Sequence, residues 1–390
     1  MSKYINRRDF IKGAGAAWVL MQSPSVFATA KLLSESTKKP LVWVMLRGGL
    51  DPLHTIMPVA DPDFAAIRGA IVKPIEDALL PLNQSFSLHP DLPYLHQLYG
   101  EGQLSPIVAV ATGYRERSHF EAQDQLESGL NQTEHENGWL ARALNAYSGD
   151  GLALARAVPI ALRGEDNTVQ TWYPTAFNEP DDDLLARLTS LYSNDEQMGE
   201  WLDLAKMQLT ATQGMEQKRR TNFALLAKSC GQLMAQQANI SCAMLELNGW
   251  DTHNNMQGRL SRKFRELDAG LLALRESLGE RWKDTLVVVT TEFGRTVAIN
   301  GTSGSDHGTG ASMFLAGGAL ASNAPDFASA GVANKQVHGS WPGLGKDQLY
   351  EGRDLMPTSD TREWIGKALK AHWSLNKRQL AEIFPDISFM

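Results

Sequence analysis

Acidic and histidine residues recur in this chain directly after short apolar runs, and these are the side chains that hold metal ions. In Gly249-Trp250-Asp251-Thr252-His253 a carboxylate and an imidazole stand two residues apart, so in extended backbone both leave on one face and can share an ion. Asp306-His307 sits inside the glycine-rich stretch Gly301–Gly310. It is either a ligand pair or an acid/base histidine oriented by a carboxylate, unless the stretch is only a mobile turn. Asp51 follows the run Leu41–Leu46, and Glu292 follows Leu286–Val289. The candidate metal ligands are therefore Asp51, Asp251, His253, Glu292, Asp306 and His307. Trp250 reads as packing.

Two arginines accompany these carboxylates. Arg47 precedes Gly48-Gly49-Leu50-Asp51, and Arg295 follows Glu292-Phe293-Gly294. Each either clamps a tetrahedral anion through charge-assisted hydrogen bonds or neutralises Asp51 and Glu292. Arg115 to Asp124 reads as the start of a helix, where free amides and the positive dipole end suit an oxyanion. Ser118 there is a nucleophile activated by a metal or base, or the first member of a capping box with Glu121. His119 is a ligand, an acid, or a core group.

The elements that must position these groups follow from the apolar pattern. Val42–Leu46, Pro106–Ala111, Ser241–Leu247, Leu286–Thr290 and Ser312–Ala316 read as buried strands, and loops at the carboxyl ends of parallel strands converge on one crevice. The amphipathic stretch Arg259–Trp282 reads as a crossover helix, and Thr361–Lys370 and Lys377–Ile383 as helices of the tail. The segment from Asp181 to Gln237 is polar and helix-rich, an insertion or cap over one side of the sheet. The expected fold is α/β, a doubly wound domain flanked by helices and carrying this helical insertion.

Residues 1–30 read as an export signal. Arg7-Arg8 is followed by Phe10, Lys12, a weakly apolar stretch to Met21, and the small-residue site Ala28-Thr29-Ala30. The set resembles the twin-arginine signal, whose translocase carries folded proteins and would be a partner during export to the periplasm. The plain alternative is a basic helix of a cytoplasmic protein. The apolar stretch is too short for a stable membrane anchor. The glycines at 13 and 15 lie within this signal and do not make a dinucleotide loop.

The chain has 390 residues, 37 of them basic and 44 acidic. Removing Lys3, Arg7, Arg8, Lys12 and Asp9 with the signal leaves 33 basic against 43 acidic residues, a formal charge of −10. No basic block offsets that charge, so nucleic acid and anionic membranes are poor partners for the general surface. Cys230 and Cys242 either pair in an oxidising compartment or remain buried thiols.

Taken together, Arg47-Gly48-Gly49, Arg117-Ser118-His119-Phe120, Gly249–His253, Glu292–Thr296, Asp306-His307-Gly308 and Gly339–Leu344 resemble the bacterial DUF1501 family, over most of the chain after residue 30. That family is similar to the alkaline phosphatase and sulfatase superfamily, which implies an alkaline-phosphatase-like mixed sheet and metal-dependent cleavage of phosphate or sulfate esters. By that resemblance Ser118 takes the place of the nucleophile and Asp51, Asp251, His253, Glu292 and His307 those of metal ligands. Phe293 stands where the superfamily has a histidine, and the Asp251-His253 spacing is shorter than in phosphatases; His119 or Asp306 would compensate.

The expected domain organisation is a signal at 1–30 and one domain at 31–390 with the insertion at about 181–237. The expected activity is hydrolysis of a small anionic ester with one or two divalent ions, zinc or manganese, because the ligands mix imidazole and carboxylate. The alternative is an exported, non-catalytic binding or assembly protein on the same fold.

Overall fold

The computed structural model describes residues 38–389 apart from 165–167, 175–181, 193–194, 196–197, 200–201, 204–205 and 207–221. The export signal at 1–30 lies outside the described residues. An eight-stranded sheet organises the rest. It contains β1 (Leu41–Arg47), β5 (Leu104–Ala111), β6 (Asp150–Ala153), β7 (Val169–Thr171), β8 (Ile240–Asn248), β9 (Leu286–Thr291), β10 (Ala311–Ala316) and β11 (Ser359–Asp360). Three two-residue strands, β2 (Ile56–Met57), β3 (Leu80–Pro81) and β4 (Ser87–Leu88), form a separate small sheet.

The main sheet runs β11-β5-β10-β9-β1-β8-β6-β7. β1 pairs in parallel with β8 and β9, and β10 is antiparallel to its neighbours β9 and β5. All five strands expected from the apolar runs are present; β6, β7 and β11 are too short or too mixed in composition to show in the sequence.

β1 demonstrates why the sheet is covered on both sides. Leu41 to Leu46 are all fully buried. Val42, Val44 and Leu46 pack into one core with Leu260, Phe264 and Leu267, while Leu41, Trp43 and Met45 pack into a second core with Trp139, Leu369 and Phe384. Alternate side chains of a strand leave on opposite faces, so an unbroken apolar run needs an apolar layer on each side. The Trp43 indole N–H finds Thr290 Oγ1 at 2.8 Å.

The helices fall near their expected positions: Met256–Leu278, Thr361–Trp373 and Lys377–Ile383. Within the segment expected as an insertion, helix Phe223–Gln236 buries Phe223, Leu226, Cys230, Leu233 and Met234 in the first core. This helix packs over one face of the sheet; the stretch 207–221 of the expected insertion lies outside the described residues. Cys230 and Cys242 are buried free thiols, so the disulfide alternative is not realised.

Candidate metal centre

The carboxyl ends of β1, β5, β8 and β9 face one edge of the sheet, because these strands are parallel. β10 runs the other way, which brings the loop before it, with Asp306 and His307, to the same edge. An antiparallel strand thus delivers ligands from its amino end to a crevice the parallel strands serve from their carboxyl ends.

Three imidazoles and one carboxylate meet there. His119 Nε2 lies 3.0 Å from His307 Nε2, and His253 Nε2 lies 3.0 Å from the same atom. Asp251 Oδ1 is 3.0 Å from His253 Nε2 and 3.4 Å from His307 Nε2, and Asp251 Oδ2 is 3.6 Å from His119 Nε2. One ligand atom each from His119, Asp251 and His307 fits within a 4.8 Å span. The side chain of Asp251 is 41 % exposed and that of His253 44 %, so the cluster opens to solvent.

The other nitrogen of every ring is committed to a group that can only accept. His119 Nδ1 faces Glu292 Oε1 at 2.8 Å, His253 Nδ1 faces Asp306 Oδ1 at 3.0 Å, and His307 Nδ1 faces the Arg117 carbonyl oxygen at 3.0 Å. Since carbonyls and ionised carboxylates donate nothing, each Nδ1 carries the proton and each Nε2 presents a lone pair to the cluster. Three converging lone pairs beside a carboxylate repel one another unless a cation sits among them. The set of His119, Asp251 and His307, with His253 adjoining it and the far ring nitrogens held by carboxylates or a carbonyl, is a fit for a divalent metal.

Charge shifts follow the same geometry. Burial, helped by the nearby charges of His119 and Arg295, pulls His307 below the usual histidine range and keeps it a neutral ligand. Burial opposes ionisation of Asp251 and of Glu292. The hydrogen bond from Arg295 nevertheless holds Asp251 below the usual carboxylate range, and bonds from His119 and Gln123 do the same for Glu292. Asp306 is lowered by its bonds from Asn300 and His253.

Several expected roles change. Asp51 is not a ligand here: it is fully buried, accepts from Arg68 at 3.0 and 3.2 Å and from Ser305 Oγ at 3.1 Å, and caps a short helix through the His54 amide. Glu292 and Asp306 orient histidines instead of facing the cluster. His119, expected as an acid or ligand, stands in the ligand position. It enters the cluster from the start of helix His119–Ser128, and the Phe293 ring packs 4.7 Å from the His119 ring.

Neither arginine is a free anion clamp. Arg47 donates to Glu127 at 2.5 Å and Glu246 at 2.8 Å, and Arg295 donates to Asp251 at 2.6 Å and to Ser305. Both neutralise carboxylates, though different ones from the Asp51 and Glu292 of the sequence reading. Ser118 is the N-cap residue of helix His119–Ser128, but its side chain makes no capping bond. Glu121 accepts from the Tyr114 hydroxyl at 2.7 Å, and that hydroxyl accepts the Ser118 N–H at 3.1 Å. The expected capping box is absent.

Of the supporting residues, Gln123 and Asn300 carried no signal in the sequence, whereas Arg117 and Gly48 stood within the family-like motifs. Gln123 accepts from Arg47 at 2.5 Å and donates to Glu292 at 2.9 Å, which links Arg47 to the orientation of His119. Asn300 Nδ2 donates to Asp306 Oδ1 at 3.0 Å and to the His253 carbonyl at 2.9 Å. Arg117, with φ +59°, aims its carbonyl at His307 and is anchored by the buried Asp354 at 2.9 Å. Gly48 meets a requirement that only glycine satisfies. Its φ is +123°, a Cβ there would lie 2.4 Å from the Asp251 nitrogen, and its own N–H donates to Glu292 at 2.8 Å.

The fold and the site together define a mixed α/β protein with a candidate metal centre at the carboxyl edge of its sheet. The chain belongs to the family described as "Protein of unknown function (DUF1501)", whose sequence profile matches residues 109–384. Among curated proteins none matches the sequence.

Similar solved structures include the C-terminal periplasmic domain of EcEptC from Escherichia coli in complex with zinc (TM-score 0.37, 12 % identity, 78 % of this chain and 81 % of that one). Another is a protein in the alkaline phosphatase superfamily from Vibrio parahaemolyticus (0.34, 9 %, 80 % and 69 %). A third is a variant alkaline phosphatase from the Antarctic bacterium TAB5 with magnesium bound (0.39, 10 %, 90 % and 98 %). Likenesses of this size fix neither a substrate nor an activity.

Proposed function

We propose that the protein is an exported metal-dependent hydrolase of phosphate or sulfate esters. The observation that carries the reading is the convergence of the His119, His253 and His307 Nε2 atoms on Asp251. Nitrogen-rich donors with one carboxylate favour zinc, with manganese next, over calcium or magnesium. When bound there, such an ion supplies Lewis acidity toward an ester oxygen and lowers the pKa of a hydroxyl or water.

The chain's own residues do the positioning. Glu292, Asp306 and the Arg117 carbonyl hold the Nδ1 protons, so the Nε2 atoms stay free of them. Arg295, wholly buried, keeps Asp251 ionised and fixes its orientation. Ser118, beside His119 and free of a capping bond, is the candidate nucleophile. The first-turn amides of helix His119–Ser128 lack intrahelical acceptors and would suit a developing oxyanion.

One observation favours a second reading, a non-catalytic metal-binding or assembly protein: Arg47 and Arg295 are both spent on carboxylates. Metal analysis of the purified protein, together with hydrolysis assays on aryl phosphate and aryl sulfate esters, separates the two. Bound zinc or manganese with turnover of either ester supports the hydrolase. Bound metal without turnover supports the second reading, and absence of any divalent ion after reconstitution overturns both.

Export by the twin-arginine translocase is part of the proposal, supported by Arg7-Arg8 and Ala28-Thr29-Ala30. Among the described residues no helix is long and apolar enough to cross a membrane. Replacing both arginines by lysine should leave an uncleaved precursor inside the cell; normal export of that variant removes the assignment.

A further inference from the structure

Helix Met256–Leu278 starts directly after the loop that carries Asp251 and His253, and its first turns border a cleft of about 300 Å³. The cleft is lined by Arg259, Arg262, Lys263, Glu266 and Gly249. The cations here are not equivalent. Lys263 is paired with Glu266 at 2.6 Å, and Arg265, outside the cleft, is paired with Asp91 at 3.1 Å. Among the described residues neither Arg259 nor Arg262 has an acidic partner, and the one hydrogen bond from Arg262 goes to the Gly258 carbonyl at 3.4 Å.

Two guanidinium groups three residues apart on a helix are neighbours, and like charges at that spacing repel. An anion between them removes the repulsion. The guanidinium fork matches the paired oxygens of phosphate or sulfate, and the positive end of the helix dipole acts in the same sense. Gly249 keeps the floor of the cleft low: its φ is +97°, and a Cβ there would lie 2.8 Å from Lys263 Cε. On a chain with formal charge −7 this is a local cationic feature, not a reflection of the overall surface.

Gly249, in the lining of the cleft, and Asp251, in the metal cluster, are two residues apart on one loop, a span of at most about 7 Å along the chain. We propose that this cleft binds a second oxyanion, a phosphate or sulfate group of the same substrate, so that esters carrying two anionic groups are preferred over those carrying one. The preference rests on the ester-hydrolase reading; oxyanion binding in the cleft does not.

Titration calorimetry with inorganic phosphate and with sulfate, at low ionic strength, tests the site on wild type, on the double variant Arg259→Gln/Arg262→Gln and on His253→Ala. The expected result is about 10-fold weaker binding or worse in the double variant and retained binding in His253→Ala. Both arginines are exposed, so the double variant should keep the wild-type melting temperature. No binding by wild type, equal affinity in the double variant, or loss of all binding in His253→Ala overturns the proposal.

In turnover assays the double variant should raise KM about 10-fold for an aryl phosphate bearing a second phosphate group and leave the mono-phosphate unchanged. An equal effect on both esters overturns the preference. Failure of wild type to hydrolyse either ester counts against the hydrolase reading, while the calorimetry still decides the cleft.

Discussion

His119 and His307 present the same ring atom to each other: their Nε2 atoms lie 3.0 Å apart, while their Nδ1 atoms are held by Glu292 and by the Arg117 carbonyl. Single replacements should therefore show in metal content before they show in folding. His307→Ala and His119→Ala are each expected to lower zinc affinity by at least about 10-fold, with far-UV circular dichroism unchanged. Retention of wild-type affinity in both would mean that the rings meet for structural reasons only.

Gln123 stands between Arg47 and Glu292 and fixes the carboxylate that orients His119. Gln123→Leu keeps the volume and removes both hydrogen bonds. Zinc affinity, measured by chelator competition, is expected to fall about 10-fold. An unchanged affinity would show that Glu292 needs no support from Gln123.

Ser118 makes no capping bond, so its loss should cost little stability. Ser118→Ala is expected to change unfolding free energy by no more than about 0.5 kcal/mol in urea titration. If the hydroxyl attacks the ester, the same variant should lose turnover with metal content intact. An active Ser118→Ala enzyme rules out the nucleophile.

Asp51 and Arg68 form an ion pair with both side chains fully buried. Burial opposes ionisation of Asp51, yet the Arg68 charge holds it below the usual carboxylate range. Asp51→Asn leaves the Arg68 charge uncompensated and is expected to cost roughly 3–5 kcal/mol in denaturant unfolding. Metal stoichiometry in the folded variant should match wild type; a loss of metal would return Asp51 to the site.

Three buried histidines set an acid limit on stability. Burial lowers His54 and His372 to about 3 and His89 to about 4, whereas an unfolded histidine takes its proton near pH 6.5. Below about pH 6.5 the unfolded chain therefore binds protons that the folded chain refuses. Stability should fall on acidification toward pH 4, by up to roughly 1.4 kcal/mol per pH unit for each histidine. Neither ring nitrogen of His54 has a hydrogen-bond partner among the described residues. His54→Leu should flatten the pH dependence of the melting temperature between pH 6 and 4. An identical slope would exclude His54 as a contributor.

The local sequence was enough to place five strands, the main helices and the carboxyl-edge location of the site. A run such as Leu41–Leu46 can only be buried on both sides, and loops after such parallel strands share an edge. Asp251, His253 and His307 were recognisable as candidate ligands by residue type and position, and the fold brings them together. Which carboxylates face the cluster was decided by long-range contacts. Asp51 follows a strand just as Asp251 does, but Arg68 and Ser305 take up its oxygens, while His119 is turned inward by Glu292, 173 residues away. The antiparallel direction of β10 also lay beyond local pattern, since apolar spacing records burial but not strand polarity. Ligand identity here depends on which acceptor holds each Nδ1 and which cation holds each carboxylate, and those partners meet only in the folded chain.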